Sequence, residues 1–580
     1  MNPNEHRRMD MTEPPLAYEL RLGVTGHREI TDPESIARAV DKLLEYINNS
    51  LVKPGTPSLE WVIISPLAKG ADRLVVDSVL KRPNSRLEVI TPFSIEQYQK
   101  DFVDPKDLAE FEKLLAKLPK SSPPMELNKN RVPNTESERN RGYFDAGKAV
   151  IDSCEILIAI WDGKKSGGHG GTSDMIDYAL RFKRTVLWIN SEHPEAEIKM
   201  ILPSRHHRHF KDEVGISQYH TRRLPAQAKF LSPGFDQLTE FLGGRTVLGP
   251  TFQSVLQKTE TGLREQATKA GLSPSHLYPI LKNIMPYFVL SDQLALRYQK
   301  QHVGASKAIL FLSATAVTIG VFQTLFFEEF NWLVLFETLA MVSAVICLIV
   351  NRRLRWHEKW LHDRYLAELL RIAMFSLATN HDPCLKLAES PNVMPFYIGP
   401  NNWLFSTVRR LVGRTREEIV DPVELEPVKN FVIEGWIKRQ RDFHMNSAEI
   451  KENADLKSRR TVLVLFVITF ALSILHLAGV GHTHEGPPIL SLGHWFTFLA
   501  IALPAWAAAI HGVGKQLQYD KIARRSLQMV EILDQYQYRM NNAVSIDELR
   551  RAIQQATHVI GMENFEWWVL LSFEPPELAA

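Results

Sequence analysis

Four stretches of about 20 residues are almost uniformly apolar, and they constrain this chain more than any other feature. Each matches the hydrocarbon core of a bilayer, roughly 30 Å thick, which an apolar helix of about 20 residues crosses. Only Glu337 among them carries a full charge. The alternative is a set of buried helices in a large soluble core, which the grouping into two close pairs disfavours. The windows are Ala308–Phe327, Trp332–Val350, Thr461–Val480 and Trp495–Val513.

Basic residues flank these windows on one side only. The loops inside the pairs, EEFN and GHTHEGPPILSLGH, contain no Lys or Arg. By the positive-inside rule, both termini and the central segment are expected to be cytoplasmic, in a multi-pass protein of the cell inner membrane. The basic flanks consist of Lys300, Lys307, Arg352, Arg353, Arg355, Lys457, Arg459, Arg460, Lys515, Lys521, Arg524 and Arg525.

The overall composition restricts the class of function. The 580 residues have a formal net charge of +2, which argues against binding driven by bulk charge, so we expect no direct nucleic-acid binding. Three widely spaced cysteines predict a reducing compartment and no disulfide framework. The first 15 residues, MNPNEHRRMDMTEPP, are polar and do not predict a cleaved signal peptide.

The two apolar pairs have the pattern of a divergent duplication. In each, a polar helix leads into a span, a short loop and a second span, after which a long charged helix follows. The charged helices carry a partly apolar stripe, which favours helix packing beneath the membrane. The sequence therefore predicts an all-α membrane region of four transmembrane helices in two hairpins with long cytoplasmic helices.

Short apolar runs alternate with helical patterns in residues 20–190. This alternation predicts an α/β domain with a parallel sheet covered by helices on both faces. In the first helix, Asp32 is expected to be the N-cap and Pro33 the first helical residue. The runs are LRLGVTG, WVIISPL, LEVITPF, EILIAIWDG and TVLWIN.

Glycines and polar residues follow three of these runs, at the strand ends where ligands bind in such sheets. A glycine loop that enters a helix offers amide groups and the helix dipole to an anion, and arginines bind phosphate in a bidentate manner. Glycines that merely form turns are the alternative, since neither a P-loop nor G-x-G-x-x-G is present. Thr172 or Ser173 is expected to cap the helix after the third loop. The candidate ligand-binding residues are Thr25, Gly26, His27, Arg28, Ser65, Lys69, Gly70, Asp72, Arg139, Arg141, Trp161, Asp162, Gly167, Gly168, Gly170, Gly171 and Thr172.

Three segments give the N-terminal third a specific resemblance. GVTGHR, SPLAKGADRL and AGKAVIDSCEILIAIWDGKKSGGHGGTSDM, in this order, resemble the SLOG superfamily over about residues 18–190. Those Rossmann-like domains are similar to LOG phosphoribohydrolases, DNA-processing protein A and the cytosolic N-terminal region of TRPM channels. The resemblance implies a domain that senses a nucleotide-derived signal, such as a cyclic nucleotide, an oligonucleotide or an ADP-ribose derivative, with no other cofactor.

The membrane part resembles SLATT modules, which are two-transmembrane effectors associated with SLOG domains and with nucleotide-cyclising enzymes in bacterial antiviral systems. SDQLALRYQKQH and RWHEKWLHDRYLAELLR carry this likeness over about residues 285–375, and residues 445–575 carry it more weakly. It implies a partner enzyme that makes the signal and helices that perturb the membrane. The expected domains are 1–200 (SLOG-like), 201–306 (connector and pre-membrane helix), 307–380 (hairpin 1 and stalk helix), 381–445 (linker) and 446–580 (hairpin 2 and C-terminal helices).

Catalysis and metal binding have weaker support in the sequence. LOG enzymes carry G-G-x-G-T-x-x-E, and here the glutamate position is Met175 with Asp174 beside it. The displaced carboxylate favours a sensor, and a membrane-tethered phosphoribohydrolase stays as the alternative. No metal site is assigned, because a solvated loop and a turn explain the two histidine groups. These groups are His206, His207 and His209, and His482, His484 and His494.

The sequence therefore predicts a membrane effector gated by a nucleotide second messenger, acting as a pore or ion channel in antiviral defence. Four helices enclose little water, so a pore implies a homo-oligomer in the lipid bilayer. Glu337 is the candidate pore residue, because an ionisable group within a span is costly and points to function. The alternative is that its side chain extends to the outer interface, since Glu337 lies only about 7.5 Å into the span. A non-catalytic membrane scaffold is the third possibility.

Overall fold

The chain folds into two compact units. One comprises Met1–Gly243 with Ser390–Thr407, and the other comprises Gly244–Glu389 with Val408–Ala580. These units come from a computed structural model that describes residues 16–118, 123–164, 170–202, 216, 219–225, 227–330, 332–380, 402–419, 423–481 and 488–572.

The first unit is built on an eight-stranded sheet in the order β4-β3-β2-β1-β5-β6-β7-β8. The six strands from β4 to β6 are parallel, and β7 and β8 add an antiparallel edge. The predicted α/β class and all five predicted strands are therefore confirmed, and the sheet continues past residue 200. The strands are β1 (Tyr18–Gly26), β2 (Leu59–Ser65), β3 (Ser85–Phe93), β4 (Met125–Asn128), β5 (Ile156–Trp161), β6 (Thr185–Asn190), β7 (Lys199–Leu202) and β8 (His220–Arg223).

Helices connect the parallel strands and bury their apolar faces against the sheet. They are α1 (Pro33–Leu51), α2 (Ala71–Leu80), α3 (Ile95–Gln99), α4 (Pro105–Leu115), α5 (Glu136–Ser153) and α6 (Thr172–Arg181), followed by α7 (Ala228–Leu231) and α8 (Pro233–Leu248).

The starts of two helices test the predicted caps. The Asp32 carboxylate accepts a hydrogen bond from the Ser35 amide at 3.0 Å, so the predicted start of α1 is confirmed. The predicted cap of α6 is wrong, because Gly171 takes the N-cap position and Thr172 is already helical. The side chain that stabilises this turn is Asp174, which accepts from the Gly170 amide at 2.9 Å.

The second unit is helical. It contains α9 (Pro250–Ala270), α10 (Pro274–Asn283), α11 (Met285–Phe326), α12 (Trp332–Leu354), α13 (Trp356–Leu377), α14 (Asn402–Glu418) from Val408 onward, α15 (Leu425–Val432), a short π-helical segment (Ile433–Ile437), α16 (Lys438–Leu477), α17 (Leu492–Gln516), α18 (Tyr519–Asn541) and α19 (Ile546–Ser572).

Four of these helices are long and apolar enough to cross a membrane, as expected of a multi-pass membrane protein. The four predicted windows fall in α11, α12, α16 and α17, which form two helical hairpins. Large apolar side chains on α12 and α16 are exposed, including Leu335 and Phe470. This arrangement is typical of lipid-facing helices, since a water-soluble chain buries such side chains.

Each hairpin is followed by a helix that continues its second span. Arg355 breaks α12 from α13 and Gln518 breaks α17 from α18, and both residues adopt the left-handed conformation, at φ 51° and 48°. In each half, the helix after the break then packs on the N-terminal part of the helix that begins the hairpin, so α13 packs on α11 and α18 packs on α16. Contacts between α11 and α13 include Tyr298 with Lys359, and contacts between α16 and α18 include Arg441 with Asp534. The two halves thus share one architecture, as a duplication predicts.

Candidate ligand site at the strand ends

The ends of β1 and β5 form the crevice in which the candidate residues meet. The chain runs outward from β1 through β2, β3 and β4 and then returns to place β5 on the other side of β1. Such a reversal of strand order opens a crevice at the carboxyl ends of the two strands, where ligands of doubly wound sheets bind. Gly26 and Ile160 are paired at this end, so the residues that follow each strand are neighbours.

His27 and Asp162 bridge this crevice. The backbone N–H of Asp162 donates to Nε2 of His27 at 3.2 Å. Oδ1 of Asp162 lies at the same distance from Nε2, so two groups of Asp162 hold this ring nitrogen. Among the described residues, Nδ1 has no hydrogen-bond partner, and the His27 side chain is 35% exposed. A ligand in the crevice therefore meets Nδ1 of an imidazole ring that is held in one orientation.

Two glycines let the loops approach each other closely. A Cβ on Gly70 would lie 2.3 Å from the Arg28 carbonyl oxygen and 2.5 Å from that of His27, and Gly70 has φ +86°. A Cβ on Gly26 would lie 2.4 Å from Cβ of Ala71 and 2.7 Å from the Ile160 carbonyl oxygen. Only glycine fits at either position, because the atoms that a Cβ would meet include backbone carbonyl oxygens, which cannot rotate away.

Arg28 supplies a cation at the rim of the crevice. Its guanidinium lies 4.9 Å from the ring centroid of Tyr143, and it has no ion pair with any described residue. The Tyr143 hydroxyl donates to Asp101, which also forms an ion pair with Arg139. Arg139 therefore lies near the predicted rim but is neutralised, whereas the exposed Arg28 charge remains available to an anion.

The loop between β2 and α2 is held together by its own polar groups. The Ser65 hydroxyl donates to Asp72 at 3.0 Å and accepts from the Leu67 amide at 2.9 Å, and the Asp72 carboxylate accepts from the Ala68 amide at 3.3 Å. Burial raises the pKa of Asp72 to about 7, against the lowering effect of these hydrogen bonds and of Arg28. Ser65 and Asp72 thus shape the loop, and a change in the charge of Asp72 near neutral pH changes the field at Arg28.

Lys69 is less available than the sequence suggests. Its ammonium lies 3.3 Å from Asp107 and 3.6 Å from Glu29, and the hydrogen bond to Asp107 is the main reason that its pKa is raised. A ligand phosphate would have to compete with both carboxylates for this cation.

Several candidate residues at and after the end of β5 have structural roles and do not line the crevice. Trp161 is 1% exposed and donates through its indole N–H to the Lys164 carbonyl at 2.7 Å, so neither face of its ring is open to a ligand. Gly170 and Gly171 lead into α6, and the buried Thr172 begins it. Gly167 and Gly168 lie outside the described residues.

Met175, where the resemblance to LOG enzymes would place a glutamate, lies in the core. Met175 is 4% exposed, and its sulfur would lie 2.3 Å from a Cβ built on Gly147 of α5. The neighbouring Asp174 already accepts from Gly170. A carboxylate that could reach the crevice from this turn of α6 is therefore absent from the described residues.

Comparison with known protein families finds a match for one segment of the chain. A family model described as a protein of unknown function, DUF4231, matches residues 291–383. This segment takes in most of α11 and all of α12 and α13, so the matching unit is the first hairpin with its continuing helix. No curated protein matches the chain.

The structure adds residues that the motifs did not indicate. Tyr143 lies one helical turn after Arg139, so the i, i+4 spacing could have placed the two on one face. Asp101 and Asp107 come from separate segments, and no local pattern connects them to the crevice. Arg141 is exposed on α5, and its side chain forms no hydrogen bond or ion pair with a described residue.

The remaining candidates are in or near the membrane region. Glu337 is half-buried in the α11–α12 hairpin, with its carboxylate beside Gly320. His494 packs near Phe326, with ring centroids 6.3 Å apart. His206, His207, His209, His482 and His484 lie outside the described residues, and no group of three potential metal ligands occurs in the described part of the chain.

Proposed function

We propose that the α/β unit binds an anionic, nucleotide-derived ligand in the crevice between β1 and β5, and that this binding gates the membrane helices. The observation that carries the proposal is the junction of His27 with Asp162 at the reversal of strand order, with the unpaired Arg28 at its rim. An oriented imidazole and an exposed guanidinium beside a glycine-lined loop suit a phosphate group. As part of this proposal, the α/β unit is a SLOG domain, the membrane region consists of SLATT-like modules, and the protein acts in antiviral defence.

A binding role is favoured over hydrolysis by the chemistry of α6. Most glycoside hydrolases use two carboxyl groups placed on either side of the scissile bond. Here Met175 is in the core and Asp174 holds the Gly170 amide. Burial raises the pKa of Asp72 to about 7, but this side chain is enclosed in the loop, and its Oδ2 already accepts hydrogen bonds from Ser65 and Ala68. We therefore propose a sensor, and the hydrolase alternative is tested in the same experiment.

Gating sets an energetic requirement. A change from mostly closed to mostly open requires about 5.5 kcal/mol of differential binding. One binding site typically contributes only about 1–3 kcal/mol of coupling. Several ligands on a homo-oligomer therefore act together in this proposal, which predicts a steep dose response in ion flux across liposomes.

The test is calorimetry on the detergent-solubilised full chain with ADP-ribose and with a cyclic dinucleotide as probes. Arg28→Ala should weaken binding of the recognised probe by about 1.5–3 kcal/mol, the range for hydrogen bonds to charged groups. Lys81→Ala is the matched control, since it removes an exposed positive charge at the opposite end of α2. Equal affinity of the wild type and Arg28→Ala would refute the site. Mass spectrometry of the probe after incubation separates binding from turnover, and a cleaved product would favour the hydrolase.

A further inference from the structure

We infer that α12 of one copy of this chain packs on α16 of a second copy, as α17 packs on α11 within the chain. The four spans lie in a row in the order α12–α11–α17–α16. Both ends of the row are open, because α12 and α16 have no comparable contact with each other in the described part of the chain. This interface rests on the proposed function for the need of a homo-oligomer, and it names the surfaces that form one.

The helices in the row alternate between the two positions of a hairpin. The spans α11 and α16 are the first of their hairpins, whereas α12 and α17 are the second. The contact between the hairpins joins a first span to a second one, and the open ends are again a second span, α12, and a first one, α16. Contact between α16 and α12 of the next copy therefore repeats the contact that each chain already contains. Such head-to-tail contacts close into a ring when the rotation between copies permits.

The contact between α11 and α17 consists of apolar side chains and a hydrogen bond. The indole N–H of Trp506 donates to the Thr318 hydroxyl at 3.0 Å. The ring centroids of Phe322 and Phe498 lie 5.6 Å apart. The two hairpins thus associate through defined positions, and the duplication identifies the equivalent positions on α12 and α16.

The breaks after the hairpins align the second spans. When Arg355 is matched with Gln518, Trp332 is matched with Trp495, and these two tryptophans begin the apolar windows of α12 and α17. In this register, the residues of α12 that correspond to side chains of α17 in contact with α11 are exposed. They are Trp332, Leu335 and Ile346, in place of Trp495, Phe498 and Ala509.

The apolar windows align the first spans, with Ala308 matched to Thr461. This register is supported outside the windows, where it makes the contact of Phe288 with Arg371 equivalent to the ion pair of Arg441 with Asp534. The residues of α16 that correspond to the α17-facing side of α11 are again exposed. They are Leu463, Val464, Val467, Ala471 and Leu475, in place of Leu310, Phe311, Ala314, Thr318 and Phe322.

Exposure alone does not select a second copy, because lipid chains are as apolar as these side chains. The duplicated contact selects it, since surfaces of the same two kinds already associate once within each chain. Val467 and Ile346 stand where α11 and α17 have Ala314 and Ala509. Small residues allow helices to approach closely, so the contact between copies should be looser than the one within the chain.

The test is disulfide cross-linking in membranes between two co-expressed full-length chains that carry different tags. In both chains, the three native cysteines are replaced by alanine. One chain carries Leu335→Cys and the other Leu475→Cys, at the equivalents of Phe498 and Phe322. Oxidation should link them into a mixed dimer, since a disulfide forms when the two Cα atoms lie within about 7 Å. No nucleotide is added, so a failure of nucleotide binding leaves this result unaffected.

Leu477→Cys in place of Leu475→Cys is the matched control. Leu477 is also exposed, but it lies about 200° away around α16, at 100° per residue. Equal cross-linking of this control would indicate random collision and would overturn the interface. Absence of a mixed dimer would leave both faces to lipid, and equal linking between two Leu335→Cys chains would indicate a twofold contact between α12 helices. Either result also overturns it.

A second pair of cysteines tests the contact near the other end of the spans. Ile349→Cys and Leu463→Cys stand at the equivalents of Gly512 and Leu310, where a Cβ on Gly512 would lie 3.4 Å from the Leu310 methyl carbons. This pair should also link, and it replaces the first pair if either of those variants fails to insert. Linking of the first pair without the second would overturn the register of the two helices.

Discussion

The carboxylate of Glu337 lies against the Cα of Gly320 on the neighbouring helix. A Cβ built on Gly320 would lie 3.0 Å from Cδ and Oε2 of Glu337 and 3.1 Å from Oε1. The absence of a side chain at Gly320 thus makes room for the one charged group within the four apolar windows. A charged group there is costly in hydrocarbon, which makes Glu337 the strongest candidate for a role in ion passage.

Glu337→Gln should lower the preference of the proposed ligand-gated flux for cations over anions, because a ring of carboxylates in an oligomer favours cations. Glu337→Lys should reverse or abolish it. The measurement is flux in liposomes under opposing salt gradients, and Glu328→Gln, in the exposed loop between the spans, is the control. An unchanged preference in Glu337→Gln would remove Glu337 from the pore, and equal leakage with and without nucleotide would exclude gating.

Trp506→Phe should destabilise the contact between the two hairpins by about 0.6–1.7 kcal/mol. The Trp506 indole donates to the Thr318 hydroxyl at 3.0 Å within the apolar region, and phenylalanine preserves the stacking on Phe311 but removes the donor. Thermal unfolding in detergent measures the change. Trp332→Phe serves as the control, because Trp332 is exposed at the start of α12 and its indole N–H forms no hydrogen bond with a described residue. Equal melting temperatures for the two variants would exclude a stabilising bond.

Gly70→Ala should destabilise the α/β unit by about 1–3 kcal/mol and displace Arg28, since alanine at φ +86° is strained and its Cβ would overlap the Arg28 carbonyl oxygen. Gly55→Ala is a close control, because Gly55 has the same φ of +86° with nothing within 4 Å. Thermal unfolding and nucleotide affinity should both decline more in Gly70→Ala. Equal losses in the two variants would mean that backbone strain alone matters and that the close approach to Arg28 does not.

Asp72 should make the α/β unit less stable as the pH rises from about 4 to about 7. Its folded pKa of about 7 lies above the ordinary value of 3.8, so the folded state retains a proton that the unfolded state has released. The stability that this proton contributes is complete below pH 4 and is lost as the pH passes 7. Asp72→Asn should flatten this dependence in thermal unfolding.

The matched control is Asp77→Asn, at a half-exposed position on the same helix. It should keep the slope of the wild type between pH 4 and 7. The proposed ligand should also bind more weakly above pH 7 in the wild type, because ionised Asp72 offsets the charge of Arg28. A wild-type slope that persists in Asp72→Asn would assign the pH dependence to other groups.

The loop between α11 and α12 should face the outside of the cell. A cysteine at Glu329 should react with an impermeant maleimide in whole cells, because the positive-inside rule places this loop opposite the basic flanks. A cysteine at Thr261, on the exposed side of α9, should react only after lysis. The reverse pattern would invert the orientation.

The sequence by itself determined the features that repeat locally. Each apolar window is about as long as a bilayer is thick, and each strand run is bounded by turn residues. Composition and period were therefore sufficient to locate the spans and the strands. The start of α1 was equally local, since Asp32 caps an amide three residues away. Even the relation between the halves was visible, because each half repeats the same order of spans and charged helices.

Only the tertiary structure decided which of these elements meet. His27 and Asp162 are 135 residues apart, and their contact depends on β5 lying beside β1, which no local pattern specifies. Burial of Trp161 and Met175 likewise depends on the helices that cover them. The turns at Arg355 and Gln518 lack the glycine that usually marks a left-handed residue, so their position follows from helix packing. Local periodicity shows which face of an element must be covered, but the element that covers it is selected by contacts distant in sequence.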